Sequence, residues 1–283
     1  MAVKFLIDSA SDVSKKEAES MGVSMLPMAI TFGTEEYFDG VDLLPVQFYE
    51  KLVESSELPK TSQISAYRFE EEFERLTANG DQVVAIVISS KLSGTYNMAC
   101  QASEKFNGKV FVVDSMSAAT GERLLLEIGL SMAKNGSTAE EIYQELNKKK
   151  EKIVIMAMVD TLEYLKKGGR VSAAVAFAGQ MLSIKPVVGI VDGEVKLLGK
   201  AMGSRKANNL LNQLVAQKGG IDFSLPCSGL WSGLSDALIQ KYLRDSAPLY
   251  KESIDQVPVH ILGPTIGTHV GPGAVGVAFF GKK

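Results

Sequence analysis

Short β-branched runs alternate with amphipathic helical runs through the first half of the chain, and this order restricts the fold more than any other feature. The runs VKFLID (3–8), QVVAIVI (82–88) and KVFVVD (109–114) have the composition of strands, and a helical pattern follows each of them. A strand–helix–strand order favours parallel strands with helices packed on the sheet. We therefore predict an α/β fold in which residues 1–154 form a doubly wound, mostly parallel sheet domain.

Two local signals refine this first half. The run VSMLPMAITFG (23–33) reads as one further strand, and Pro27 within it predicts an edge or irregular position, because proline has no N–H for the ladder. The segment STAEE opens a helix, and either Ser137 with Glu140 or Thr138 with Glu141 can form its capping box.

The pattern changes after the charged run NKKKEK (147–152). Asp192-Gly193 separates two apolar runs, which is a strong signal for a β-hairpin, and further helical and strand patterns follow it. We predict a C-terminal α+β domain over residues 155–283. No internal repeat or low-complexity linker separates the halves, so we expect them to share a large interface.

Composition excludes several classes of partner. The net charge of −3 over 283 residues gives no electrostatic reason to expect nucleic acid or an anionic membrane surface. Cys100 and Cys227 are too few and too far apart for a disulfide framework. No apolar run is long enough to cross a bilayer. We expect a cytoplasmic protein with no nucleic-acid partner and no stable membrane insertion.

Motifs for nucleotides, metals and hydrolysis are missing from the sequence. It contains no GxxxxGK[ST], no GxGxxG after the first strand, no HExxH or CxxC, and no GxSxG elbow. We therefore expect no cofactor.

The segment ISSKLSGTYNMA (88–99) lies where a predicted parallel strand ends and a helix begins. Ligands bind outside the carboxyl ends of such strands, and the N–H groups of a helix start favour anions. Ser93, Gly94 and Thr95 are the candidate ligand-binding residues there. The alternative is that Ser93 only caps the helix.

Hydroxyl side chains also cluster in PKTSQIS (59–65), just before a predicted helix. Thr61, Ser62 and Ser65 are more hydroxyls than one helix cap needs, so Thr61 and Ser62 are further ligand-binding candidates. Capping alone is the alternative for each of them.

His269 lies in GTHVGPGAVG (267–276), which we interpret as a loop. Its glycines allow close approach and Pro272 stiffens the backbone, so this segment holds a side chain at a defined place. His269 is either a ligand-binding residue or a structural hydrogen-bonding group. His260, within a strand pattern, is interpreted as structural.

Two arginines are candidates for contact with a phosphate or a partner protein. Arg170 follows Lys166, Lys167 and two glycines, and Arg205 stands in GKAMGSRKANN. A guanidinium binds phosphate or carboxylate with two parallel hydrogen bonds. A solvated surface charge is the alternative for each.

Eight motifs together resemble the bacterial DegV family, the fatty-acid-binding carrier subunits of fatty acid kinase. In chain order they are DSASDVS, FDGVDL, KTSQIS, SSKLSGTYNMA, VVDS, DTLEYLKKGGRVS, SIKPVVGIVDGEV and GTHVGPGAVGVAFF. The resemblance covers almost the whole chain. It implies two α/β domains with a long-chain fatty acid in a tunnel between them.

The same resemblance implies roles for single residues. Thr61 and Ser93 would bind the carboxylate, His269 would complete that polar end, and Arg170 and Arg205 would engage the kinase or the acyl phosphate. The partner would be an ATP-binding, dihydroxyacetone-kinase-like subunit. The chain would then be a carrier in phospholipid synthesis and no enzyme by itself.

One segment departs from the family pattern. A Ser-x-Gly-x-Gly helix start is usual after VVDS, whereas this chain has Ser117-Ala118-Ala119-Thr120-Gly121, followed by Glu122 and Arg123 in place of apolar residues. The departure leaves the local contour of the tunnel open. We expect SAAVAFAGQML (172–182) to form part of the tunnel wall, with ordinary core packing as the alternative.

Two other functions fit parts of the pattern. The first is an acyl hydrolase or acyltransferase in which Ser93 is the nucleophile and His269 its base. The second is a binding module for a small anion or phosphate, without a lipid.

Overall fold

A computed structural model describes residues 2–172, 183–250 and 257–282, whose strands form sheets of four, six and three strands. The described strands are β1 (Val3–Asp8), β2 (Val23–Leu26), β3 (Ala29–Phe32), β4 (Glu35–Phe38), β5 (Lys60–Ser62), β6 (Gln82–Val87), β7 (Val110–Asp114), β8 (Ile153–Met158), β9 (Ile184–Val191), β10 (Glu194–Met202), β11 (Ser228–Trp231), β12 (Val259–Ile261) and β13 (Val275–Phe280). The described α-helices are α1 (Lys15–Met21), α2 (Pro45–Glu54), α3 (Ala66–Thr77), α4 (Thr95–Ser103), α5 (Thr120–Lys134), α6 (Ala139–Lys149), α7 (Glu163–Lys167), α8 (Ser204–Gln217), α9 (Ala237–Asp245), α10 (Ala247–Tyr250) and α11 (Pro264–Val270).

The four-stranded sheet has the order β2-β1-β6-β7, and all its neighbouring strands are parallel. Residues 83–87 of β6 are completely buried, as expected for a central parallel strand covered on both faces. Helices α3 and α4 pack against each other and contact the strands of this sheet. Helices α5 and α6 form a second such pair, which also contacts its strands. The predicted doubly wound parallel sheet is confirmed.

Pro27 divides the predicted second strand into two strands of different sheets. β2 pairs with β1 at the edge of the parallel sheet, whereas β3 pairs with β4 and β5 in the three-stranded sheet. Proline removes a ladder donor, so the chain leaves one sheet there and enters another. The reading of residues 23–33 as a single strand is therefore wrong.

The six-stranded sheet has the order β10-β9-β8-β13-β11-β12 and is mostly antiparallel. β9 and β10 form the predicted hairpin around Asp192-Gly193. β8 begins this sheet and spans the point after residue 154 at which we predicted a domain boundary. That division of the chain stays a prediction.

Side chains alternate between two cores along β8. Ile155 and Ala157 belong to the apolar cluster that includes the parallel sheet, whereas Met156 and Met158 join a second cluster with α8 and α9. Successive residues of a strand point to opposite faces, so one sheet serves both cores. Helix α5, which contacts strands of both sheets, lies between them. The protein thus has five layers in this order: helices α3 and α4, the parallel sheet, helices α5 and α6, the six-stranded sheet, and helices α8 and α9.

Helix ends follow the local sequence signals. Of the two possible capping boxes before α6, the structure has Thr138 with Glu141. Gly22 ends α1 in the left-handed conformation, as its position predicted. None of the described helices is long and apolar enough to cross a membrane.

Gly276 tests how tightly β13 and β8 are packed. A Cβ at this position would meet the Met156 carbonyl oxygen and would lie 2.6 Å from Ala157 Cβ. Both atoms belong to the neighbouring strand β8, so neither can move unless β8 moves as a whole. We expect Gly276→Ala to lower the free energy of unfolding by ~1–3 kcal/mol, as overpacked core variants do. Urea unfolding followed by circular dichroism measures this change.

Gly229→Ala is the matched control, because Gly229 lies on the neighbouring strand β11 and pairs with Val277. Its added Cβ would find ordinary contacts at 3.4 Å with Ile239 and Val259. Equal destabilisation by the two variants would contradict the packing argument.

Candidate functional site

A cavity of about 290 Å³ lies between the parallel sheet and the six-stranded sheet. Its size is near the lower end of the ~300–1,000 Å³ typical of small-molecule sites. Its described apolar wall consists of Met28, Ile88, Leu92, Ala118, Ala119, Ile155, Met156, Ala157, Val159, Leu165, Val188, Ile190, Val195, Leu230, Leu262, Ile266 and Val270. Ile88 directly follows β6, so the cavity adjoins the carboxyl ends of the parallel strands, where α/β folds bind ligands.

The same cavity also has polar lining residues. These are Thr61, Ser62, Gln63, Ser93, Thr265, Arg170 and His269. Six of the eight predicted site residues therefore line it, because Gly94 belongs to the wall as well. They come from segments that are far apart in the chain.

Thr61 and His269 form the central contact of the polar residues. Thr61 Oγ1 and His269 Nε2 are 2.9 Å apart and come from positions separated by 208 residues. Thr61 is the middle residue of the short strand β5, which the sequence did not predict. His269 lies in the last turn of α11, so our interpretation of its segment as a loop is wrong for residues 267–270, whereas residues 271–274 do form the connection to β13. Pro264 begins this helix at a position where a missing N–H costs nothing.

The imidazole of His269 is mostly buried. Burial, followed by the nearby positive charge of Arg170, lowers the pKa of His269 to about 3. Its Nδ1 has no hydrogen-bond partner among the described residues and faces Gly168. Any side chain at position 168 would collide with the ring, which explains why glycine stands there. His269 is therefore a neutral hydrogen-bonding group at pH 7.

Ser93, Gly94 and Thr95 form the start of α4. Ser93 Oγ lies 2.9 Å from Thr95 Oγ1 and accepts a hydrogen bond from the Thr95 N–H at 3.2 Å. Ser93 therefore does help to cap the helix, and it lines the cavity as well. Thr95 is completely buried behind it and accepts a hydrogen bond from the N–H of Ile64 at 3.4 Å. Thr95 thus supports the site without being among its lining residues.

Gln63 is a lining residue that our sequence analysis missed. Its side chain packs over Gly94, where a Cβ would lie 2.9 Å from Gln63 Cδ. Its position beside Thr61 and Ser62 in KTSQIS was a signal for it. Gly94 is needed because β5 and the start of α4 meet here.

Arg170 connects the remaining segments of the polar residues. Its Nε and Nη2 donate to the Leu92 carbonyl oxygen at 3.2 and 3.1 Å, and its Nη1 donates to that of Gly168. Because Leu92 precedes Ser93 and Gly168 contacts His269, these bonds bring Ser93 and His269 to the same end of the cavity. The polar residues thus form one group.

Other predicted positions lie elsewhere. Arg205 is exposed on the first turn of α8 and is not among the described lining residues. Residues 173–182 of the predicted tunnel wall lie outside the described residues. In the segment that departs from the family pattern, Ala118 and Ala119 line the cavity, whereas Glu122 and Arg123 are buried away from it.

Among the described residues, no group of three or more His, Cys, Asp or Glu side chains is placed to hold a metal ion. The chemistry of the cavity is thus that of an apolar space with hydroxyls, a neutral imidazole and one guanidinium.

Comparison with known proteins agrees with this architecture. A DegV family protein from Thermus thermophilus, whose structure is described as fatty-acid binding, superposes with a TM-score of 0.88 at 28% identity, covering 99% of this chain and 100% of that one. DegV from Bacillus subtilis, described as a fatty acid binding protein, gives a TM-score of 0.83 at 27% identity and covers both chains completely.

The sequence comparisons agree with the structural ones. A DegV domain-containing protein of Clostridium perfringens is 32% identical over 98% of both chains. The sequence model of the DegV family, described as uncharacterised proteins, matches residues 2–282. The chain therefore belongs to the DegV family.

Proposed function

We propose that this protein binds a long-chain fatty acid in the cavity, with the carboxylate among the polar residues. The observation that carries the proposal is the make-up of the cavity: its walls are mostly apolar, Thr61 contacts His269 directly, and Ser93 lines the same cavity. The fatty-acid binding described for DegV structures of Thermus thermophilus and Bacillus subtilis supports it.

The tail supplies affinity. A saturated chain of about fifteen methylenes gains ~12 kcal/mol on burial, at ~0.8 kcal/mol for each methylene. Ordering the chain and fixing the complex offset much of this gain. Met28 in the wall is flexible and polarisable, which suits tails of different shape.

The head group needs donors, because a carboxylate only accepts hydrogen bonds and loses water on entering the site. Among the described residues no acceptor faces His269 Nδ1, so a proton there would be buried without a partner. The neutral ring therefore carries its proton on Nε2 and donates to Thr61 Oγ1. The Thr61 hydroxyl is then free to donate to the ligand. Ser93 and the start of α4 supply a second hydroxyl and a favourable dipole.

The acid is then presented to another protein. Ser62 and Gln63 are exposed, and Thr61, Ser93 and Arg170 are half-buried, so the polar group reaches the surface. We infer that an ATP-binding, dihydroxyacetone-kinase-like subunit docks there in the cytoplasm and transfers the γ-phosphoryl group of ATP to the carboxylate, leaving ADP. The acyl phosphate stays bound for phospholipid synthesis. Arg170 and Arg205 would engage the phosphate or the partner.

The hydrolase alternative has weaker support. Ser93 Oγ contacts Thr95, and His269 Nε2 contacts Thr61, so the described residues contain no Ser93–His269 hydrogen bond. Within the described part of the chain, no carboxylate orients His269 from its Nδ1. A carrier role uses both residues as they are placed.

Ser93→Ala and Thr61→Ala test the head-group site. Each removes a hydrogen bond to a charged group, so we expect hexadecanoate to bind about 10- to 100-fold more weakly, from ~1.5–3 kcal/mol per bond. Isothermal titration calorimetry measures the affinity.

Ser65→Ala is the control, because Ser65 begins α3 without a side-chain hydrogen bond. A loss of melting temperature that fully accounts for the loss of binding would contradict the proposed role.

The pKa of His269 should change when a carboxylate binds beside the ring. Its folded pKa of about 3 lies below the ordinary 6.5, so the neutral ring contributes stability above pH 6.5 that is lost as the pH falls toward 3. A carboxylate beside the ring favours its charged form, so hexadecanoate should raise the pKa of His269. Proton NMR of the two histidine rings follows it, with His269→Asn for assignment.

Hexadecanol is the matched ligand, since it has the same tail and no charge. It should leave the pKa of His269 unchanged. Equal shifts with the acid and the alcohol would show that the head group lies elsewhere.

Arg205→Ala tests the presentation step. Because Arg205 is exposed and away from the described cavity lining, we expect unchanged hexadecanoate affinity but slower acyl-phosphate formation when the kinase and ATP are present. Lys206→Ala, at the next exposed position, is the control. Loss of lipid binding in Arg205→Ala would be incompatible with a docking role.

A further inference from the structure

The helix that carries His269 is held at its other end by two carboxylates from the first half of the chain. Asp12 Oδ1 accepts a hydrogen bond from the N–H of Gly263 at 2.7 Å, and Asp39 Oδ2 accepts one from the N–H of Thr265 at 3.0 Å. Gly263 and Thr265 belong to the start of α11. Donors at a helix start have no partner within the helix, so these bonds cap α11.

The two carboxylates converge on one point. A Cβ placed on Gly263 would lie 3.2 Å from Asp12 Oδ1 and 3.3 Å from Asp39 Oδ1, so glycine leaves the space that they occupy. Acidic groups at this end of a helix also interact favourably with its dipole. Burial raises the pKa of Asp39 to about 6 and that of Asp12 well above its ordinary value. The protonated carboxyl of Asp39 is a neutral hydrogen-bond acceptor, and an asparagine side chain at this position would resemble it.

Helix α11 is also held by packing against α2 and α7. A Cβ on Gly267 would lie 2.6 Å from Phe48 Cε1, so α11 packs closely against α2 at its middle. Tyr49 Oη donates to the Leu262 carbonyl oxygen at 3.0 Å just before the helix. Packing against α2 and α7 limits sideways motion, and the capping bonds restrain the first turn. A seven-residue helix is about 10 Å long and moves as a rigid body, so its first turn, together with the contact between Gly168 and the His269 ring, sets where His269 lies.

We propose that Asp12 and Asp39 are positioning residues for the head group: by anchoring the first turn of α11 they hold the His269 ring on Thr61, and so give the protein its preference for a carboxylate over a neutral alcohol. Without the His269 donor, the Thr61 hydroxyl is no longer oriented toward an acceptor-only ligand. This inference rests on the proposed function, since it explains the selectivity of the same site.

The first test needs no ligand and uses NMR titration of the two histidine rings. In Asp39→Ala, α11 loses an anchor and His269 becomes solvated, so the pKa of His269 should move from about 3 toward 6.5. The pKa of His260 should stay near 4 and serves as the internal reference, because unfolding would move both. Asp39→Asn keeps an acceptor for the Thr265 N–H and should restore the wild-type titration of His269.

Asp42→Ala is the matched control. Asp42 lies in the same loop and accepts a hydrogen bond from the Phe38 N–H, but it is exposed. It should leave both histidine titrations unchanged. If Asp39→Ala does not fold, Asp12→Ala tests the same expectation through the Gly263 N–H. A His269 titration at the wild-type value in a folded Asp39→Ala or Asp12→Ala protein would overturn the proposal.

The second test measures selectivity with hexadecanoate and hexadecanol. The loss of one oriented hydrogen bond to a charged group should reduce the preference for the acid about tenfold in Asp39→Ala, with the alcohol affinity unchanged. Parallel loss of both affinities would indicate a purely structural role and overturn the inference. If the wild-type protein binds neither probe, the proposed function fails, and the histidine titration still decides whether the carboxylates position His269.

Discussion

Apolar packing between the two sheets is the constraint on which the rest of the structure depends. The face of β8 that carries Ile155 and Ala157 shares one apolar cluster with the parallel sheet, and α5 fills much of the space between them. Protein interiors are normally close-packed, so a cavity of about 290 Å³ inside this layer is a distinctive feature of the fold. It lies near the first turn of α5, where Ala118 and Ala119 are small enough to leave it open.

The polar group shows how a fold gathers weak local signals into a site. Thr61, Ser93 and His269 come from β5, the start of α4 and the end of α11, and Arg170 connects the latter two through backbone carbonyls. None of these residues is charged at pH 7 except the guanidinium, because burial keeps the imidazole neutral. A ligand with a long tail and an acceptor-only head group complements this arrangement better than a reactive ester does.

Much of the fold could be predicted because its signals are local. The central strands β1, β6 and β7 have β-branched composition, the hairpin turn at Asp192-Gly193 needs left-handed backbone, and the cap of α6 lies within four residues. Strand β5 and helix α11 were not predicted because tertiary contacts overrode weak local preference. Strand β5 has three residues and exists through pairing with β3. Glycines flank helix α11 on both sides and a third lies inside it, so its local preference for a helix is weak. Hydrogen bonds to Asp12 and Asp39 and packing against α2 stabilise it.

The amino-acid sequence alone determined the α/β class, the order of the strands β1, β6 and β7 along the chain and the hydroxyl, imidazole and guanidinium groups available to a site. Only the tertiary structure decided that Thr61 meets His269 across 208 residues, that Thr95 lies behind Ser93, and that Arg205 lies apart from the described lining of the cavity. Backbone preferences extend over a few residues and can be read locally. The meeting of distant side chains depends on how two sheets and the helix between them pack, and no single segment encodes that.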